Sequence, residues 1–213
     1  MKPLYRDICV FVLIMLMAFI ISCDLKIRSF SGNTDTEGSL PGEVTTEDEV
    51  WKTQSEEGKE IYLFESSPTS DRRTYIKVLD KNLDVSDEWR ISTLVAKTKG
   101  DDELFYGIAF YLNENVNAGC GAYLLNNKGT IVVGKMKNGI WKEIKREQTE
   151  AVLTGNTNEL SVVYNKDGYD FLLGGIKCTG IEKDTLGEIK GNRTGFICVA
   201  GNKDEQIRFE LKE

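Results

Sequence analysis

An all-β antiparallel sandwich is the fold class predicted for the chain from residue 60 onward, and three observations lead there. Short runs of alternating apolar and polar residues recur along this part of the chain, separated by turn chemistry, which is the pattern of strands joined by hairpins. Glycine is abundant and proline scarce, 20 against 3, so turns are many and stiff spacers few. Beyond the N-terminal run, no stretch of helical length carries an apolar stripe at the 3.6-residue period. Strands are expected at 61–65, 73–78, 89–96, 106–112, 121–125 and 130–136, then at 140–144, 159–165, 169–173, 176–179, 195–200 and 206–211. Asn126-Asn127-Lys128-Gly129 joins the fifth to the sixth and Lys137-Asn138-Gly139 the sixth to the seventh, because Asn and Gly supply the positive φ that tight hairpins need. The last strand has the clearest alternation: Ile207, Phe209 and Leu211 point one way, Arg208, Glu210 and Lys212 the other.

Charge and composition exclude several function classes. The chain has 213 residues, 27 Lys+Arg, 34 Asp+Glu and no histidine, for a net charge of −7. Histidine triads, histidine–metal centres and imidazole bases are therefore impossible. An acidic chain also lacks the basic footprint that nucleic acid requires, so no nucleic-acid partner is expected. The N-terminus is a targeting segment: Lys2 and Arg6 precede an uncharged apolar run over residues 8–21. As a helix these 14 residues would extend about 21 Å, short of the ~30 Å hydrocarbon core, but a normal length for a signal-peptide core.

Ile20-Ile21-Ser22-Cys23 resembles a bacterial lipobox. The resemblance implies a signal peptide at 1–22, cleavage before Cys23 and acylation of that cysteine. Two or three acyl chains anchor stably where one is marginal, so the partner implied is a membrane and the location the bacterial cell envelope. Residues 23–59 are expected to be the lipidated cysteine and a disordered acidic tether. From Asp24 to Glu60 there are 10 acids and 4 bases, a net −6 that opposes collapse, and such a linker spans about 33 Å. A short capped helical turn is expected around 46–53, with Trp51 packing on the domain edge. Residues 60–213 form one domain, since about 150 residues can bury a single core.

The segment from Tyr106 onward is similar to the concanavalin A-like (laminin G-like) jelly-roll domains of exported bacterial proteins. The stations that carry the likeness are Tyr106-Gly107-Ile108-Ala109-Phe110, Tyr123-Leu124-Leu125, Val133-Gly134-Lys135-Met136 and Asn138-Gly139-Ile140-Trp141. Gly155-Asn156-Thr157-Asn158-Glu159-Leu160-Ser161-Val162, Gly195-Phe196-Ile197-Cys198-Val199 and Phe209 continue it. Gly174-Gly175 stands where the family usually has Asn-Gly, and Glu210 where it has Asp. The resemblance implies a jelly-roll β-sandwich of two curved sheets, used for recognition of carbohydrate or protein and in some branches for glycoside hydrolysis.

Sites must be argued separately from the fold. Trp141, just past a hairpin, is a candidate sugar-stacking platform or a cross-strand packing residue. Tyr111 and Tyr123 lie opposite Ile108-Phe110-Leu112 and Leu124 if alternation holds; they are candidates either for a non-core face suited to ligand binding or for ordinary sheet packing, the latter favoured. Asn158 is read as a turn residue bonding nearby backbone. Hydrolysis needs two carboxylates about 5–9.5 Å apart, and the nearest match to a strand-borne E-x-D-x-x-E is Glu182-Lys183-Asp184-Thr185-Leu186-Gly187, in a turn-like context. Glu143, Glu147 and Glu150 read as solvated rim charges. No catalytic residues are assigned and no enzyme activity is expected. No cofactor or metal is expected either: Cys120, Cys178 and Cys198 have no near partner, and Gly100-Asp101-Asp102-Glu103 lacks calcium-loop spacing. These three cysteines are expected to be free and mostly buried, the alternative being a Cys178–Cys198 bridge contributing about 3 kcal/mol. The expected function is a membrane-anchored, non-catalytic recognition module for carbohydrate or a protein partner. A lipid-anchored glycoside hydrolase and an envelope structural protein without a small ligand are the alternatives.

Overall fold

The computed structural model describes residues 44–46, 48–84, 88–113, 115–152, 156–187, 189 and 191–212. Cys23, the apolar run 8–21 and the tether up to residue 43 lie outside the described residues. The described strands are β1 (Val44–Thr45), β2 (Trp51–Glu56), β3 (Lys59–Ser66), β4 (Arg73–Asn82), β5 (Trp89–Lys99), β6 (Tyr106–Leu112) and β7 (Cys120–Leu125). They continue with β8 (Thr130–Lys137), β9 (Ile140–Gln148), β10 (Asn158–Asn165), β11 (Gly168–Leu173), β12 (Ile176–Glu182), β13 (Arg193–Ala200) and β14 (Glu205–Lys212). Each expected run falls inside one of β3 to β14.

The strands form two sheets. The front sheet has the order β1-β4-β13-β6-β7-β8-β9 and the back sheet β12-β11-β10-β5-β14-β3-β2. Every pairing is antiparallel except the short parallel contact of β1 with β4. The two C-terminal strands insert centrally, β13 between β4 and β6 and β14 between β3 and β5, which ties the chain's end into both sheets. Three hairpins turn through paired positive φ: Glu57-Gly58 (51°, 79°), Asn138-Gly139 (54°, 75°) and Gly174-Gly175 (59°, 81°), the two-residue geometry that matches strand twist.

The core between the sheets is aromatic. Phe196 and Phe209 stack with centroids 4.4 Å apart, and Tyr62, Phe64, Tyr75, Tyr106, Phe110 and Phe171 fill the rest. The back sheet's outer face is charged, with Lys59–Glu210 at 2.7 Å, Arg208–Glu56 at 2.8 Å and Lys212–Glu159 at 2.9 Å. The front sheet differs: Ile76, Ala109, Ala122, Leu124, Val132, Met136 and Ile197 make a second buried apolar cluster on its outer face.

Three expectations require correction. The sandwich begins before residue 60, because β2 completes the edge of the back sheet and buries Trp51, 5.0 Å from Phe64 and 6.0 Å from Phe209. A 3-10 turn at Asp48–Val50 leads into it, rather than a turn enclosing Trp51. Tyr111 and Tyr123 do not occupy a non-core face. Tyr123 faces the inter-sheet core with no exposed surface, and Tyr111 is drawn into that core beside Phe110. Tyr111 has φ 59°, a local bulge geometry that breaks alternation. For Tyr123 the alternation holds, but Leu124 faces a second buried cluster, so apolar character did not mark which side was the main core. Cys120, Cys178 and Cys198 are free thiols; Cys120 and Cys198 are buried and Cys178 half-buried.

Candidate functional site

The outer face of β9 is where ring, fork and carboxylate come together. Trp141 follows the Asn138-Gly139 turn and pairs with Met136 on β8. Its ring lies over Gly134, where a Cβ would come within 2.3 Å of Cζ2, so the glycine makes the seat for the indole. The side chain is half-buried, and its Nε1–H is enclosed without an acceptor. Trp51 and Trp89 carry the same enclosed, unpaired Nε1–H, so it is the half-buried ring of Trp141, not its N–H, that distinguishes it.

A bulge places the neighbouring charges. Gly134 pairs with Glu143 and Val133 with Lys145, so Ile144 is the extra residue and the alternation of β9 shifts there. Glu143 and Arg146 therefore share the face of Trp141. Arg146 donates to Glu143 through Nε at 3.0 Å and through a terminal nitrogen at 2.6 Å, a two-point carboxylate clasp. Its guanidinium also sits 5.8 Å from the centroid of Phe105, within cation–π range. Chemically this gives a flat indole surface beside a planar donor and a carboxylate acceptor. β9 presents one carboxylate to this face, Glu143, and it is already engaged by Arg146.

The other candidates fall elsewhere. Tyr111 accepts a 3.0 Å hydrogen bond from the Tyr169 hydroxyl inside an aromatic knot with Trp89 and Phe110; burial pushes its phenol pKa up. Tyr123 donates to the Leu172 carbonyl at 3.2 Å, and burial raises its phenol well above the ordinary value. Both tyrosines are structural hydroxyls rather than exposed platforms. Glu182 and Asp184 are exposed at the end of β12 and in the 3-10 turn after it, not side by side on a strand. A cleft of about 370 Å³ near them is lined by Tyr169, Asp170, Lys177 and Glu182 among others, and its Asp170 is paired to Lys177 at 2.6 Å. Among the described residues no group of three or more Cys, Asp or Glu is placed to hold a metal ion.

The loop Gly100-Asp101-Asp102-Glu103 has a structural task that sequence reasoning missed. Lys97 and Glu205 form an ion pair at 2.6 Å with side chains 2% and 0% exposed. Glu205 accepts the Asp101 N–H at 2.9 Å, and Lys97 donates to the Asp101 carbonyl, so the pair pins the loop. Gly100, at φ 128°, leaves room where a Cβ would meet Glu205 Oε2 at 2.0 Å. The available signal was a lysine on the core-facing register of β5, two residues after Val95.

Comparison with solved structures places this architecture. The carbohydrate-binding module CBM66 from Bacillus subtilis matches at TM-score 0.51 and 9% identity, over 79% of this chain and 96% of that one. The GH16 protein of the Bacteroides ovatus mixed linkage glucan PUL, solved with a G4G4G3G product, matches at TM-score 0.53 and 8% identity, over 77% of this chain and 85% of that one. A family 16 endo-glucanase from the same organism matches at TM-score 0.52 and 8% identity, over 77% and 86%. No family model and no curated protein matches the sequence. Identities this low establish the fold alone. The chain has the same fold, a concanavalin A-like jelly-roll β-sandwich.

Proposed function

We propose that the protein is a lipid-anchored, non-catalytic recognition module that binds carbohydrate along β9 at the bacterial cell envelope. The observation that carries the reading is Trp141, a half-buried indole seated over Gly134 on the same face of β9 as Glu143 and Arg146. A sugar offers an apolar ring face for the indole and hydroxyls for the donors. The bidentate use of Glu143 by Arg146 favours binding over catalysis, because a general acid or nucleophile needs a free carboxyl and a partner about 5–9.5 Å away. Support for the anchor comes from the lipobox-like Ile20-Ile21-Ser22-Cys23 after a run too short to span a bilayer. The acidic stretch behind it then spaces the sandwich from the membrane.

Two experiments test the parts separately. A glycan array probed with the chain starting at residue 24 should give binding that Trp141→Ala removes, and the bound glycans should be recovered uncut; cleaved products would instead make it a hydrolase. For the anchor, Cys23→Ala should abolish acylation and signal cleavage. A variant still processed, and still partitioning into detergent like the wild type, would contradict it.

A further inference from the structure

One end of the back sheet carries a cleft of about 380 Å³ across four neighbouring strands, β2, β3, β14 and β5. At its base Ser66 pairs with Glu205. Both stand two residues beyond the core-facing pair Phe64 and Ile207, so their side chains keep the inward register where the sandwich ends. The walls are two ion pairs, Lys52–Glu65 and Lys99–Asp204, the second at 2.8 Å. Glu49, from the 3-10 turn before β2, is exposed and completes the lining from that side.

Polar groups at the base keep unused bonding capacity. Ser66 is 7% exposed, and its hydroxyl has no hydrogen-bond partner. Beside it, Glu205 Oε1 accepts the Asp101 N–H, while Oε2 lies 2.6 Å from Lys97 Nζ without the alignment of a hydrogen bond. Thr179 and Thr194 also enclose unpaired hydroxyls, but neither borders this cleft or the one near Glu182. An enclosed hydroxyl without a partner destabilises the fold, and at Ser66 it faces a cleft from which a ligand can meet it.

Charge selects the ligand. Four carboxylates, Glu49, Glu65, Asp204 and Glu205, stand against two lysines, Lys52 and Lys99, with Lys97 behind Glu205. The cleft keeps a net negative charge, which draws a cation. Directly opposed side chains in an antiparallel pair start about 4.5–5.5 Å apart, so one ammonium can bridge Ser66 Oγ and Glu205 Oε2 and still have a donor left. Higher up, the lysines and Gln206 donate and the carboxylates accept, a mixture that hydroxyl groups use in either role. The volume is at the small end for ligand pockets, the scale of one sugar ring rather than a polymer.

We propose that this cleft binds an amino sugar through its free ammonium group. The site is on the other sheet from Trp141 and does not rest on the reading of β9. The test titrates the full chain, kept in a polyoxyethylene detergent that carries neither sugar nor amine, and follows its backbone amide signals by NMR. Glucosamine should bind saturably and shift the amides of Ser66, Ser67 and Gln206. Glucose and N-acetylglucosamine keep the ring but lack the ammonium. Each should bind about tenfold more weakly, the equivalent of one hydrogen bond to a charged group.

Ser66→Ala should weaken glucosamine by about tenfold on the same ground. It should melt no lower than wild type, because it removes only an unpaired hydroxyl, so lost binding would not be lost folding. Glu49→Gln, at an exposed position, should fold in any case and weaken glucosamine by less, since water screens that charge. Equal binding of the three sugars, or no saturable binding of glucosamine, would overturn the proposal. So would shifts confined to Trp141 and its neighbours on β9, or unchanged affinity in both variants.

Discussion

Lys97 and Glu205 show how much one residue's surroundings decide. Both are sealed from water in a 2.6 Å pair, so removing one strands the other's charge. Lys97→Met should cost about 3–5 kcal/mol, whereas replacing both with apolar residues of similar volume should lie much closer to wild type; urea melts of the two singles and the double measure this. Cys120 gives the pH counterpart. Burial raises its thiol pKa to about 12 from an ordinary 9. The folded state therefore holds this proton more tightly than the unfolded one, and the associated stability is complete below pH 9. It should fall by about 1.4 kcal/mol per pH unit from there toward 12, read from melts of wild type and Cys120→Ala across that range. Stability from this group that rose with pH would contradict the assignment. Of the candidate site residues, sequence could name Trp141 but could not place Tyr111 or Tyr123. Alternation separates two faces, and here both faces of β6 and β7 are apolar, so the pattern does not say which is the inter-sheet core.

Elements were legible where turn chemistry punctuated alternation. β8 and β9 could be read from Lys137-Asn138-Gly139, and β14 from Ile207, Phe209 and Leu211. β2 was hidden because Trp51 is its one apolar residue, and the polar Lys52 to Glu56 after it, though paired with β3, reads as tether. The Glu57-Gly58 turn lacks the Asn that advertised the other hairpin. Trp51 packs against Phe64 and Phe209, so Trp51→Ala should cost about 3–5 kcal/mol, and a fragment starting at residue 60 should melt well below one starting at 44. Equal melting of the two fragments would return β2 to the tether. The seat on β8 is a second element-level test. Gly134→Ala puts a methyl 2.3 Å from the indole, so it should push Trp141 toward water and red-shift its fluorescence while the other hairpins stay intact.

Across the whole molecule the two sheets have different jobs. The back sheet buries one face and solvates the other with ion pairs such as Lys59–Glu210, while the front sheet is apolar on both. With that second apolar face buried, the front sheet's accessible groups on this side lie at its edge, where β9 offers its indole, guanidinium and carboxylate. The most direct test of that reading is calorimetric titration of a glycan selected on the array into wild type, Trp141→Phe and Trp141→Ala. Recognition through the indole predicts saturable one-to-one binding that weakens in Trp141→Phe and is lost in Trp141→Ala, with all three proteins folded. Unchanged affinity in Trp141→Ala, or no binding by the folded wild type, would contradict it.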